Sequence, residues 1–260
     1  MHREALERMA QQCIPARAGW PHFVQGVSDN PPQTEILYDD NPGRMGQRLL
    51  ARRRVNRRVS VAFAIRELRD LAARAAILDR VNGWAQDGVL KVSNRPGQQL
   101  RVLCAGRATI MTPRDYTEEF RIDFDAAVCP FWEDTAPQTA ALSGASGRFA
   151  IYNLGTADAE PTVTVTPTGG ALSYFFINIG QTGNFPSFSL NDLNIPQGTA
   201  LRIYYDDNGI LRIMAGTDSL MSCRSEASAD DLKAFPGQNY INFLANTACD
   251  VSVEVKSRWL

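Results

Sequence analysis

The stretch Tyr116 to Asp134, YTEEFRIDFDAAVCPFWED, decides how the chain is built. Phe120, Ile122 and Phe124 alternate with Arg121, Asp123 and Asp125, so a strand here turns one apolar face inward and one charged face outward. The strand stops at Cys129-Pro130-Phe131-Trp132, where proline ends the ladder and two adjacent aromatics need an apolar surface to cover. Beyond it, residues 137–147 are small and uncharged and read as a linker. The predicted organisation is an N-terminal domain over 1–136, the linker, and a C-terminal domain over 148–260.

Upstream of that stretch, one long helix is predicted over Arg66–Ala85. Leu68, Leu71, Ala75, Leu78 and Val81 recur at three- and four-residue spacing, with Ala72, Ile77 and Trp84 widening the stripe. Asn82-Gly83 and Asp87-Gly88 lie where it should end. Strands are expected at Leu49–Ile65, Val89–Ser93 and Leu100–Cys104. Trp20 to Gly43 alternates turn clusters with one short apolar run, Glu35 to Tyr38, and reads as loop and hairpin. A short amphipathic helix is expected over residues 4–12.

Downstream of residue 147 no helical period of useful length occurs. Strands are expected at Arg148–Asn153, Thr162–Thr166, Phe175–Ile179, Ser187–Leu190, Ala200–Tyr205, Ile210–Ala215 and Val251–Lys256, at the spacing of a sandwich. Asp206-Asp207-Asn208-Gly209 between IYY and ILRI is a hairpin signal, because Asn-Gly tolerates positive φ. The fold class is therefore mainly β: an α+β first domain of barrel-like sheets with one long helix, then a β-sandwich.

The 260 residues leave each half enough chain for its own core. The net charge of −1 hides an asymmetry: 20 Lys+Arg against 17 Asp+Glu over residues 1–136, and 7 against 11 over 137–260. That bias suits surfaces that meet other proteins and is too weak for sequence-specific nucleic-acid binding. Five scattered cysteines without a CxxC pair read as free thiols in a reducing compartment. The charged N-terminal stretch lacks an apolar h-region, and no apolar run reaches membrane-spanning length, so cytosolic synthesis and no membrane partner are expected.

Candidate chemistry is sparse. His2 and His22 have neither a metal-ligand set nor a nucleophile partner. Glu118 and Glu119 point to opposite faces of a strand, which spoils them for acid/base work. The acidic loop at Asp206 lacks the glutamate that closes a calcium loop and reads as a turn. No cofactor, metal or catalytic residue is expected, and the chain is not expected to be an enzyme. Tyr174, Phe175, Phe176, Phe185, Phe188, Tyr204 and Tyr205 fit sandwich core better than a sugar platform. The densest charge cluster is Arg44, Arg48, Arg52, Arg53, Arg54, Arg57 and Arg58. Arg52, Arg54 and Arg58 share one parity and Val55, Val59 and Val61 the other, which favours a real arginine face. Such a face is either a solvated strand surface, a lining for passing DNA, or a set of guanidinium forks for carboxylates on a neighbouring subunit. The subunit contact is the preferred functional reading, with Arg52, Arg54, Arg57 and Arg58 as interface candidates.

From about Asn41 onward, the order of several short motifs resembles the distal tail protein family of long-tailed bacteriophages. They are the Pro42-Gly43…Gly46 turn, Arg57 to Val61, VNGWA at Val81–Ala85, RPGQQLRV at Arg95–Val102 and the opening stretch. In the second half they are IYNLGTADAEPTVTV at Ile151–Val165, FPGQNYINF at Phe235–Phe243 and the terminal SRWL. The resemblance implies a galectin-like second domain and a homo-oligomeric ring, usually of six copies, at the tail tip of the virion, assembled in the bacterial host cytoplasm. First domains would form the hub and second domains project outward. The ring would join the tail tube protein to a tail tip or tail-associated protein and anchor receptor-binding proteins. The family commonly opens with a strand, whereas the first forty residues here read as helix and loop. An alternative role is a carbohydrate-binding module in host-surface recognition.

Overall fold

The computed structural model describes residues 22–39, 48–65, 71–106 and 118–260. The helix expected over 4–12 lies outside them. The chain divides into two compact units, Met1–Phe131 and Trp132–Leu260.

In chain order the first unit contains β1 (His22–Asn30), β2 (Thr34–Asp39), β3 (Arg48–Arg54), β4 (Arg57–Ile65), α1 (Leu71–Trp84), β5 (Gly88–Leu90), β6 (Gln98–Cys104) and β7 (Glu118–Ala126). β1, β4, β7 and β6 neighbour one another in an antiparallel sheet, and β5 pairs with β6. The alternation read in the opening stretch works as expected: Ile122, Phe124 and Ala126 are buried opposite Val61, Val59 and Arg57 of β4. Ile77 and Leu78 of α1 are buried, and Trp84 sits edge-on to Phe63 at 5.9 Å and to Phe124 at 5.8 Å. Such ring pairs add about 1 kcal/mol each beyond the area they bury.

Two features differ from the sequence reading. His22–Asn30, expected as loop, is a nine-residue strand. Its register shifts between Val24 and Gly26, and that bulge breaks the alternation on which strand recognition rests. Residues 49–65, expected as one strand, are two: β3 ends at Arg54, β4 begins at Arg57, and they pair with different partners.

The second unit contains β8 (Trp132–Asp134), β9 (Gln138–Asn153), β10 (Pro161–Pro167), β11 (Phe175–Gly180), β12 (Ser187–Leu190), β13 (Leu201–Tyr205), β14 (Leu211–Ala215), β15 (Asp218–Ser219), β16 (Gly237–Val255) and β17 (Arg258–Trp259). Residues 137–147 are no linker; from Gln138 they are half of a 16-residue strand paired along its length with the 19-residue β16. Small side chains there serve strand packing: a Cβ on Gly147 would lie 2.3 Å from Leu142 Cδ2. The early part of β16 bonds to β11 and the late part to β10, with a register break between Leu244 and Cys249. Gly144, at φ 152°, lies opposite Cys249 beside that break. One layer is thus β12-β11-β16-β9, the other β9-β16-β10-β13-β14-β15, and the long strands run through both. Their inner faces share one core, with Phe175, Ile177 and Phe188 from the first layer and Val163, Val165, Ile203 and Ile213 from the second.

The C-terminal residues close this unit. Arg258, buried, donates from Nε to Glu133 (3.0 Å) and from a terminal nitrogen to Glu160 (2.7 Å), while Trp259 Nε1 donates to Asp134 (2.9 Å). The Arg258 carbonyl accepts the amides of Thr156 and Ala157. Gly155 is required beside it, because a Cβ there would meet that carbonyl oxygen at 2.0 Å.

Candidate functional site

β2 and β3 pair only with each other among the described residues, forming a two-stranded arm. The register is Thr34 to Arg54, Glu35 to Arg53, Ile36 to Arg52 and Leu37 to Ala51, then a bulge, then Tyr38 to Leu49. An isolated two-stranded ribbon is marginal in water and usually needs a third layer. This arm nevertheless exposes Ile36, Leu37, Tyr38, Leu49 and Leu50 at 41–59% of their surface. Alternation places Ile36 and Tyr38 on one face of β2 and Leu37 on the other, so neither face is finished by this copy. A contiguous apolar cluster of that kind marks a contact surface. β1 adds a second unfinished feature: it is an edge strand, paired only with β4 among the described residues.

The four candidate arginines do not form one face. Arg57 is buried, with only 1% of its surface exposed. Its Nε donates to Asp29 Oδ1 at 2.7 Å and a terminal nitrogen to the Pro130 carbonyl at 3.2 Å. Arg95 holds the same Asp29 carboxylate at 3.2 Å. Burial pushes the Arg57 guanidinium below the usual arginine range, and the Asp29 hydrogen bond opposes that push. Arg57 is therefore an internal tie and not a subunit contact. Arg57 shares the odd parity of Val59 and Val61, the buried side of β4, and lies opposite buried Ala126.

Arg58 faces outward and lies across from Asp125, to which its Nε donates at 2.9 Å. That hydrogen bond and the carboxylate charge raise its pKa. Arg54 is exposed on the arm, donating to Thr34 Oγ1 at 2.8 Å, and Arg53 pairs with Glu35 at 2.5 Å. Arg52 stands opposite Ile36 in the arm's register. The structure thus brings Arg52, Arg53 and Arg54 together on one ribbon beside the apolar cluster, leaves Arg58 on the main sheet and turns Arg57 inward. Sequence reasoning missed the cluster itself: Ile36-Leu37-Tyr38 and Leu49-Leu50 look like ordinary strand cores until both their faces prove uncovered.

Elsewhere the expected residues fall into structural roles. Phe175 and Phe188 are core, while Phe185 is 36% exposed. The Asp206 loop is a turn: its carboxylate accepts the amides of Asn208 and Ile210 and pairs with Arg212. Among the described residues no group of three or more His, Cys, Asp or Glu could hold a metal, and no helix is long and apolar enough to cross a membrane. Cys104, Cys223 and Cys249 are free thiols.

The same architecture recurs in a solved structure, the Dit (gp 19.1) protein of SPP1, described as a paradigm of hub adsorption apparatus in phages infecting Gram-positive hosts. The two superpose with a TM-score of 0.67 at 11% identity over 92% of this chain and 94% of that one. The chain has the fold of a phage tail hub protein. Structures of the phage P2 baseplate in its activated conformation, with calcium and with strontium, are also similar, each with a TM-score of 0.46 at 10% identity. They cover 92% and 91% of this chain, and 91% and 90% of their own chains respectively. No protein-family model and no curated protein sequence matches the chain. The hub fold agrees with the sequence resemblance to distal tail proteins and with the mainly β class.

Proposed function

We propose that this chain is a structural component of a phage tail tip whose first units close, copy against copy, into a ring. The observation that carries the proposal is the β2–β3 arm, which exposes apolar side chains on both faces and belongs to a chain with a hub-protein fold. Identical subunits close into a ring when two different patches on each meet at a fixed rotation. The arm is one such patch, and the sheet edge at β1 is a candidate for the other. Covering one of the arm's leucines contributes about 2 kcal/mol. Repeated around a ring, that outweighs the ordering of a marginal ribbon. Exposed Arg54 flanks the cluster and offers a positive border for carboxylates on the neighbouring copy, which sets orientation more than affinity.

The ring has six copies in this reading. One side meets the tail tube protein, the other a tip or tail-associated protein, and receptor-binding proteins attach to it. Its role is mechanical, joining parts rather than transforming a substrate. Negative-stain images of the purified full chain at micromolar concentration test the reading. Closed rings of uniform diameter are expected; single particles that stay single when tail tube protein is added overturn it.

A further inference from the structure

β9 is a long, bare sheet edge. It pairs with β16 on one side, and among the described residues its backbone bonds to no other segment on the other. A strand of 16 residues runs for about 50 Å. In an antiparallel pair, alternate residues turn their N–H and C=O groups away from the partner, so the free side of β9 offers a row of donors and acceptors. Edges that must stay unpaired are kept short, covered, or guarded by lysine or proline. The unit's other margins follow that rule: residues 223–229 hydrogen-bond along β12, and β15 has two residues. β9 contains no lysine and no proline, and its one charged side chain is Arg148.

The side chains at the C-terminal end of this edge are unfinished as well. Ile151 and Asn153 are buried, whereas Phe149, edge-on to Phe243 at 6.2 Å and packed against the same core, stays half-buried at the margin. The intervening residues turn outward: Arg148 is exposed, and Tyr152 and Leu154 keep 50% and 54% of their surface in water. The Arg148 guanidinium lies over the Tyr240 ring, 4.4 Å from its centroid, and has no carboxylate partner among the described residues. Stacking fixes the plane of the fork and leaves its N–H groups open.

We propose that an extended segment of another protein adds to β9 as a further strand. Main-chain hydrogen bonds give such a contact its affinity, and alternate side chains give it its specificity. The residues on β9 state what the segment carries. Its core-facing positions are apolar, because they cover Phe149. On the outer face it is apolar opposite Tyr152 and Leu154 and acidic opposite Arg148, where cross-strand pairs of opposite charge are favourable. A second copy of β9 fits less well. The register that pairs two copies along their full length sets Tyr152 against Thr139, and Arg148 against Ser143, whose hydroxyl already donates to Asp250. Neither the apolar end nor the guanidinium finds its match there. The contact lies wholly in the second unit and goes beyond ring formation, which uses the arm of the first.

Two synthetic nine-residue peptides test the proposal on the full chain by fluorescence anisotropy. Both carry valine at alternate positions and leucine and threonine on the other face, with a central aspartate in one and a central lysine in the other. Wild type is expected to bind the aspartate peptide about tenfold more tightly, the swing between an attractive and a repulsive cross-strand pair. Arg148→Glu is expected to reverse that order. Tyr152→Ser with Leu154→Ser is expected to weaken both peptides, and gives a second reading if Arg148→Glu does not fold. With the aspartate peptide bound, amide exchange should slow in β9 and stay unchanged in β12 and β15. Failure of wild type to bind either peptide overturns the proposal, as does an order unmoved by Arg148→Glu, or protection that appears elsewhere than β9. Protection of β9 that grows with wild-type concentration in the absence of peptide also overturns it, since a second copy is then the occupant.

Discussion

The two halves of this molecule differ in where their apolar side chains end up. In the second unit the stretch 223–229 hydrogen-bonds along β12 and the last strand beyond β14 has only two residues, while β9 is an edge paired only with β16 among the described residues; the apolar side chains of both layers fill one core. Edges kept short or covered resist unwanted pairing. In the first unit β1 is left as an edge, and β2–β3 stands as a ribbon with five large apolar side chains in water. A half whose strands close on one core and a half with an uncovered apolar ribbon make the pattern expected of a subunit that assembles through one part of itself.

The largest effect separating the halves should come from charging the arm. Leu49→Asp with Leu50→Asp should abolish self-assembly, read as monomer by light scattering, while thermal unfolding of the isolated subunit changes little because neither side chain is packed. A matching pair of charges on the exposed face of the second unit, at Thr162 and Thr164, should leave assembly intact.

Next in size are the internal ties. Arg57→Ala removes a buried guanidinium from Asp29 and should destabilise the first unit by about 3 kcal/mol. Arg258→Ala removes the buried guanidinium that binds Glu133 and Glu160 and should cost the second unit a similar amount, about 3 kcal/mol, by denaturant titration. If either variant instead dissociated a ring of undiminished subunit stability, that arginine would belong to the interface after all. Arg58→Ala, exposed beside Asp125, should hardly move the unfolding midpoint.

The smallest effect is a pH dependence confined to the second unit. Amide donation from Ile210, with Arg212 and the Asn208 amide adding to it, holds the Asp206 carboxyl below its ordinary value of 3.8. The folded state therefore favours the carboxylate. That contribution is fully present above pH 3.8 and fades as pH falls through the lower folded value. Asp206→Asn should flatten this acid limb and leave the neutral-pH midpoint nearly unchanged.

Much of this was legible from residues alone. The alternation through Phe124, the helix around Leu78 and the turn at Asp206 each depend on near neighbours in sequence, and all three appear; the helix runs Leu71–Trp84, its expected start at 66–70 lies outside the described residues, and Ala72, expected on the apolar stripe, is exposed. What escaped depends on partners distant in the chain or on interruptions of period. The bulge after Val24 disguised β1, and the break at Val55 let one arginine parity run across two strands. The small residues of 138–147 read as linker because their strand partner begins a hundred residues later. For the site, charge was visible and exposure was not: the arginines drew the eye, while the uncovered leucines beside them looked like core.

Hydrogen–deuterium exchange on the assembled particle against dilute subunit tests the central claim most directly. Amides of Thr34–Asp39 and Arg48–Arg54 should exchange quickly in the subunit and become protected on assembly, while those of β16, flanked on both sides, stay slow in both. An arm that exchanges equally fast in the assembled particle, with new protection confined to the second unit, would contradict it.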